Sequence, residues 1–68
     1  MIDEELAKPF IGKHIGFLRK EDHKDIFANG FLKDIKNNCL IVEFKGSIQV
    51  YSLENILSIR EYSRGDNR

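Results

Sequence analysis

The feature of this sequence that most constrains its fold is a pair of extended segments separated by a short polar corner. Residues 29–35 and 39–44 are rich in apolar side chains, and the corner between them, residues 36–38, holds two adjacent asparagines. Asparagine tolerates the left-handed backbone conformation and bonds its own backbone, so this pair favours a tight reversal. Gly30 lies within a long extended stretch, which indicates a sharp bend. The sequence therefore predicts a β-hairpin whose first strand is strongly curved.

Further short strands are predicted on both sides of this hairpin, each bounded by turn-forming residues. In the fourth strand, alternation places Ile48 and Val50 toward the core and Gln49 and Tyr51 outward. A charged loop is predicted after the first strand, and a single 3₁₀ turn before the last one. The predicted strands are residues 12–20, 26–35, 39–44, 47–52 and 57–62, with the charged loop at 21–25 and the 3₁₀ turn at 53–56.

A short helix is predicted before the first strand. Asp3 is a candidate N-cap, acidic residues follow it in the first turn, and Pro9 ends the segment. Ile2 and Leu6 are four positions apart, so they are predicted to share a face that covers the open end of the strands. The fold class is thus all-β with one short N-terminal helix, in the form of a small five-stranded bent antiparallel barrel. Residues 1–62 form this single domain, and residues 63–68 are predicted to be a disordered tail.

The small size of the chain predicts that it needs a supplement to its core. A chain of 68 residues buries only about 60% of the surface that its unfolded form exposes. Its single cysteine, Cys39, cannot form an internal disulfide, and its apolar neighbours favour a packed thiol. Self-association through exposed strand edges is therefore expected, which predicts a homo-oligomer.

Composition also bounds the location and the electrostatics of the protein. No apolar stretch approaches the length of a membrane span, and the first residues are acidic rather than basic, so a cytoplasmic protein without membrane partners is predicted. The formal net charge is zero. Binding to a nucleic acid would therefore need a local basic face.

No constellation of residues in the sequence points to catalysis, to a metal or to a cofactor. Residues 21–25 include carboxylates and a histidine, but Lys20 and Lys24 oppose a cation there and the spacing fits no known metal loop. His14 and His23 lack an orienting partner and a nucleophile in any recognisable motif. The sequence therefore predicts a protein that is not an enzyme, with no catalytic, cofactor-binding or metal-binding residues.

The net charge gives no support for nucleic-acid binding, but basic residues in the first half of the chain, together with aromatic side chains, favour it. Phe31 and Tyr51 offer faces on which bases can stack. Interleaved acidic residues neutralise much of the positive charge, so ordinary strand solubility is the alternative interpretation. The basic residues of the first half are Lys13, Arg19, Lys20, Lys24, Lys33 and Lys36.

The order of the predicted elements resembles the Sm/Lsm small barrel, including its bacterial Hfq branch, over nearly the whole chain. The segment 30–35, with Gly30 and Leu32, is similar to the family's Gly-x-Leu-x-x-Phe core, and residues 53–59 resemble its closing segment. Val50-Tyr51 resembles the Val-Tyr step of the Hfq-type proteins. The resemblance implies rings of subunits in which the fourth strand of one barrel pairs with the fifth strand of the next.

The chain departs from the family at the residues that bind nucleotides. Lys36 and Leu40 stand where an Sm protein carries an aspartate and an asparagine, and Ser52 and Leu53 replace the Lys-His pair of Hfq. An Arg-Gly-Asp-Asn sequence at 64–67 is similar to a family signature but follows the last strand. The resemblance therefore implies the barrel and not the uridine pocket.

The function predicted from these residues is a non-enzymatic Sm-like binding module with RNA as its ligand. Lys36 would contact a phosphate, Asn37 and Asn38 would contact base edges, and Tyr51 would stack on a base. The alternative is a protein-interaction or structural module that binds a partner chain through an exposed strand edge.

Overall fold

A computed structural model describes residues 2–62 of the chain. These residues form a short helix, two 3₁₀ turns and five strands, which confirms the predicted all-β fold with one short N-terminal helix. The predicted tail at 63–68 lies outside the described residues. The elements are helix α1 (Glu4–Ala7), strands β1 (His14–Glu21), β2 (Lys24–Lys36), β3 (Cys39–Phe44), β4 (Ser47–Ser52) and β5 (Ile56–Glu61), and 3₁₀ turns at Lys8–Phe10 and Leu53–Asn55.

The strands form one antiparallel sheet in the order β4-β3-β2-β1-β5. Within residues 2–62, β4 pairs only with β3 and β5 pairs only with β1, so the sheet is bent but is not closed into a barrel. Each of these two strands therefore presents a row of backbone donors and acceptors without a strand partner.

Three two-residue turns connect β1 to β2, β2 to β3 and β3 to β4. Both central residues of every turn have positive φ, with values of 51° and 63° at Asn37 and Asn38. Positive φ at both positions is the type I′ geometry, whose twist matches that of the flanking strands. The predicted asparagine corner is confirmed. The predicted charged loop at 21–25 is shorter than expected, because Asp22 and His23 make the whole turn and the neighbouring residues extend the strands.

The bend in β2 depends on a close backbone approach at Gly30. A Cβ at this position would lie 2.5 Å from Cγ1 of Val42 and 2.9 Å from the backbone oxygen of Glu43. Shortly afterwards the β2–β3 register shifts between Leu32 and Asp34, as in a β-bulge, which increases local twist. Gly30 therefore allows β2 to cross β3 at short range, and the bulge turns the strand further.

The core lies on one face of the sheet and is covered by the N-terminal segment. The predicted helix begins at the Asp3 N-cap, whose side chain accepts a hydrogen bond from the Leu6 backbone. The predicted Ile2–Leu6 face is wrong in part, because Leu6 is 66% exposed and Ala7 is buried instead. The helix has only one turn, so it has too few residues to present the predicted i, i+4 face. The fully buried large side chains are Phe17, Ile15, Leu32, Leu40, Leu53, Ile56 and Val42.

The predicted orientation of β4 is also wrong. Ile48 and Val50 are 56% and 61% exposed, whereas Tyr51 is half-buried and packs against the core. The tight turn places Phe44 opposite Ser47, which then sets Val42 opposite Gln49 and Leu40 opposite Tyr51. Cross-strand partners share a face, so the buried residues of β3 decide which residues of β4 point inward.

We expect Gly30→Ala to reduce the free energy of unfolding by about 1–3 kcal/mol, the usual cost of overpacking. Part of the steric clash is with the backbone of β3, which cannot rotate away as a side chain can. Gly16→Ala is the matched variant, since its Cβ would meet the ring of Phe27 at 2.9 Å, and that ring is 47% exposed and free to rotate away. Urea unfolding followed by circular dichroism compares the two variants. Equal losses of stability would contradict the role assigned to Gly30.

Candidate functional site

The three residues predicted at the corner lie together at the β2–β3 turn. Lys36, Asn37 and Asn38 are all exposed. The backbone of Asn38 is held on two sides: its N–H donates to Oε2 of Glu4 at 2.7 Å, and its carbonyl accepts from the N–H of Leu53 at 2.9 Å. The turn is therefore fixed in position by the helix and by the second 3₁₀ turn, while its side chains remain free to contact a ligand.

Tyr51 lies near the same end of the sheet. It pairs with Leu40 on β3, and the next pair joins Cys39 to Ser52. The ring of Tyr51 packs edge-on against Phe17, with 4.9 Å between the ring centroids and an angle of 68° between the planes. Tyr51 is therefore anchored to the core and half-buried, and it does not stand free on the outer face as the sequence predicted.

Arg19 also lies at this end; the sequence indicated it as one of several basic residues and not as a residue of the predicted site. Its guanidinium carbon lies 5.3 Å from the centroid of the Tyr51 ring, within the range of a cation–π contact. Its side chain is only 25% exposed and donates a hydrogen bond to Oε1 of Glu21. The Nε atom of Arg19 is buried and has no hydrogen-bond partner. A buried donor without a partner costs free energy, so this group is a candidate to receive an acceptor from a ligand.

The sequence did carry one signal for Arg19. Ile15 and Phe17 point into the core, and Arg19 is the next residue of the same face of β1. A charged residue that continues a buried face is unusual and calls for a partner. The register shift between Leu18 and Arg19 then places Arg19 opposite Ile56, next to the second 3₁₀ turn.

Arg19 and Tyr51 line a cleft of about 280 Å³ together with Lys20, Ser52 and Asn55. We name it the Arg19–Tyr51 cleft. Its polar groups are a guanidinium, an ammonium, the carboxylate of Glu21, a phenol ring, a hydroxyl and an amide, and Val50 and Ile56 add apolar surface. Cationic donors suit a phosphate, whereas a ring and an amide suit the face and the edge of a base. The cleft therefore offers both halves of nucleotide recognition at one end of the sheet.

Other polar side chains of residues 2–62 lie outside the Arg19–Tyr51 cleft. In the described part of the chain, no three His, Cys, Asp or Glu side chains are grouped so as to hold a metal ion. His14 lies 3.1 Å from Oδ1 of Asn29 through its Nε2 atom, and its ring meets Tyr62 edge-on at 5.2 Å. Cys39 is a half-buried free thiol. None of the helices within residues 2–62 has the length and apolar character needed to cross a bilayer.

Comparisons of the chain with protein-family models, with curated proteins and with solved structures give no match. A function for this protein must therefore rest on its own residues.

We expect Arg19→Met to leave the free energy of unfolding unchanged or to raise it by about 1 kcal/mol. The substitution removes a buried N–H without a partner, and Met keeps an aliphatic contact with Tyr51. Urea unfolding measures the change, with Lys20→Met at the neighbouring exposed position as the control. A loss of more than about 2 kcal/mol would mean that Arg19 is retained for stability rather than for a ligand.

Proposed function

We propose that this protein is a non-enzymatic, Sm-like binding module that binds single-stranded RNA in the cytoplasm as a homo-oligomer. The observation that carries the proposal is the contact of Arg19 with Tyr51 in a cleft that also holds Lys20. A buried, unsatisfied guanidinium Nε beside an aromatic ring is costly for the free protein, and a phosphate with a stacked base would satisfy both groups.

Each residue of this end of the sheet has a role in the proposal. Tyr51 and the Arg19 guanidinium provide stacking surfaces, and Arg19 also donates to a phosphate oxygen. Lys36 contacts a second phosphate from the exposed turn. The amides of Asn37 and Asn38 contact base edges, and the hydrogen bonds that hold the turn reduce the entropy lost when a strand binds.

The proposed self-association uses the two free edges of the sheet. β4 and β5 occupy opposite ends of the strand order, so the edge of one copy can pair with the edge of the next. β4 carries two large apolar side chains in water, Ile48 and Val50. An apolar edge strand is a hazard for a monomer and a favourable interface for an oligomer. A ring would also repeat the Arg19–Tyr51 cleft, which raises the affinity for a polyanion through avidity.

The same exposed edge favours a second candidate function. A partner protein with an extended segment would add a strand to β4 and cover Ile48 and Val50 in the same way. This protein-interaction module would need neither Arg19 nor Lys36. Its binding would depend little on salt, because apolar contacts and backbone hydrogen bonds would carry it.

We expect the purified protein to bind a single-stranded RNA oligonucleotide with an affinity that falls linearly with salt on logarithmic axes. Each neutralised phosphate contributes a slope of about −0.7. Arg19→Met and Lys36→Glu should each weaken binding about tenfold or more, because each loses a phosphate contact. Fluorescence anisotropy at several salt concentrations measures both effects.

Arg60→Glu is the matched control for charge. Arg60 is an exposed residue of β5, and its strand partner is Gly16 of β1. Its neighbour Ile59 packs on the core, so Arg60 points to the other side of the sheet. It should leave the affinity unchanged. Retention of full binding by Arg19→Met would remove the cleft from the proposal. Failure of the wild-type protein to bind any RNA or DNA would favour the protein-interaction module.

We expect Val50→Lys to reduce the mass of the protein in solution to that of a monomer. A lysine in the middle of an edge strand opposes pairing with another chain. Light scattering over a range of concentrations gives the mass, and Leu6→Lys, at an equally exposed apolar position on α1, should leave it unchanged. A wild-type protein that stays monomeric at every concentration would exclude the oligomer.

A further inference from the structure

Three adjoining cavities, linked by shared lining residues, form a groove that begins on the inner side of the open sheet and passes to its outer side. The Arg19–Tyr51 cleft is the first of them. The second has a volume of about 350 Å³ and shares Tyr51 with the cleft. The third has a volume of about 410 Å³, shares Asn29 and Phe44 with the second, and ends at Lys45. It opens on the outer side of the sheet, because its residues His14, Phe31 and Glu43 are cross-strand partners that alternate with buried positions of their strands. The groove therefore runs from Arg19 to Lys45, which lies at the other end of β4.

The groove exists because β2 leaves β3 at its bend. Pairing between the two strands begins at Phe31 and Glu43, and the preceding residues of β2 pair with β1 alone. The first half of β2 thus diverges from the β3–β4 hairpin. Ala28 and Gln49 line the gap that opens between them.

Aromatic rings stand at intervals along this groove. Tyr51 lies at one end, and Phe44 and Phe31 lie toward the other, each of them 42% exposed. A lysine ammonium approaches each phenylalanine: Lys45 is 5.4 Å from the centroid of Phe44, and Lys33 is 5.6 Å from that of Phe31. An exposed ring with a cation beside it can stack on a base and contact the adjoining phosphate.

Charge along the groove favours a polyanion that spans its length. Cations lie at both ends, Arg19 with Lys20 at one and Lys45 at the other, and the middle cavity is lined by uncharged side chains. Two carboxylates also line the ends, but Glu21 is bonded to Arg19 and Glu43 to Lys33. Both carboxylates are at least 39% exposed, and ion pairs that water reaches contribute little, so a phosphate can replace the carboxylate as the partner of either cation.

We propose that a single strand of RNA lies along this whole groove, from the Arg19–Tyr51 cleft past Phe44 to Lys45. This inference rests on the proposed function and extends it from one nucleotide site to the path of the strand. Tyr51 is four residues along β4 from Ser47, the partner of Phe44, which is about 13 Å at the rise of a β-strand. The strand bridges that distance, so the site takes several nucleotides and requires a minimum length.

The test compares a dinucleotide with an octanucleotide on the same variants. NMR titration follows the weak dinucleotide, and fluorescence anisotropy follows the octanucleotide. Phe44→Ala and Lys45→Gln should weaken octanucleotide binding about tenfold each, because each loses a stacked base or a phosphate contact. Neither substitution should affect the dinucleotide, which occupies the Arg19–Tyr51 cleft alone. Leu6→Ala and Arg60→Gln are controls for apolar truncation and for charge, and neither should affect either ligand.

The backbone amides of Ala28 and Gln49 should shift with the octanucleotide and not with the dinucleotide. Full octanucleotide affinity in Phe44→Ala, with binding still lost in Arg19→Met, would overturn the path and leave the proposed function intact. Absence of binding by the wild-type protein would overturn both. Shifts of Ala28 and Gln49 with an uncharged extended peptide, and not with the octanucleotide, would make the groove a peptide site and overturn the inference.

Discussion

The close approach of β2 to β3 at Gly30 is the constraint on which the rest of the structure depends. With no Cβ at this position, the β2 backbone passes closer to Val42 and Glu43 than a residue with a side chain can approach without strain. One strand of 13 residues can then pair with β3 through its second half and with β1 along its first half. The groove is a consequence of this change of partner, because the first half of β2 separates from the β3–β4 hairpin.

The inner face of the sheet holds the hydrophobic core and also Arg19, a charged residue that the packing of the core does not require. Phe17 and Tyr51 pack edge-on, and Tyr51 in turn lies beside the guanidinium of Arg19. An apolar residue at position 19 would fill the same space without leaving a buried N–H unsatisfied. Functional sites commonly break a packing rule in this way, because the group that binds a ligand is a poor choice for the free protein.

The open edges and the groove belong to one architecture. The sheet bends enough to enclose a core and stops before β4 meets β5, so that edge strands remain available at both ends of the strand order. A chain of 68 residues has a small hydrophobic core. Pairing of those edges would bury Ile48 and Val50 and so add to the stability of the protein. Under the proposed function, the same event would bring several copies of the groove together on one ligand.

The sequence by itself determined the asparagine corner, the strands β3 and β4 and the start of the helix. Asn37 and Asn38 adopt positive φ because their side chains tolerate it, and Asp3 caps the helix through a bond to a residue three positions away. These are local interactions, which neighbouring residues specify. Gly30 was also visible in the sequence as a bend, although the backbone it meets was not.

The tertiary structure alone decided which face of β4 points inward and which residue joins Tyr51. Alternation divides a strand into two faces without saying which one is buried. Tyr51 points inward because it pairs with buried Leu40, and Ile48 and Val50 point outward although they are more apolar. Arg19 and Tyr51 are far apart in sequence and meet only because the β1 and β4 faces turn toward the same core. Such contacts depend on the register of strands that are distant in the chain, and no local pattern encodes it.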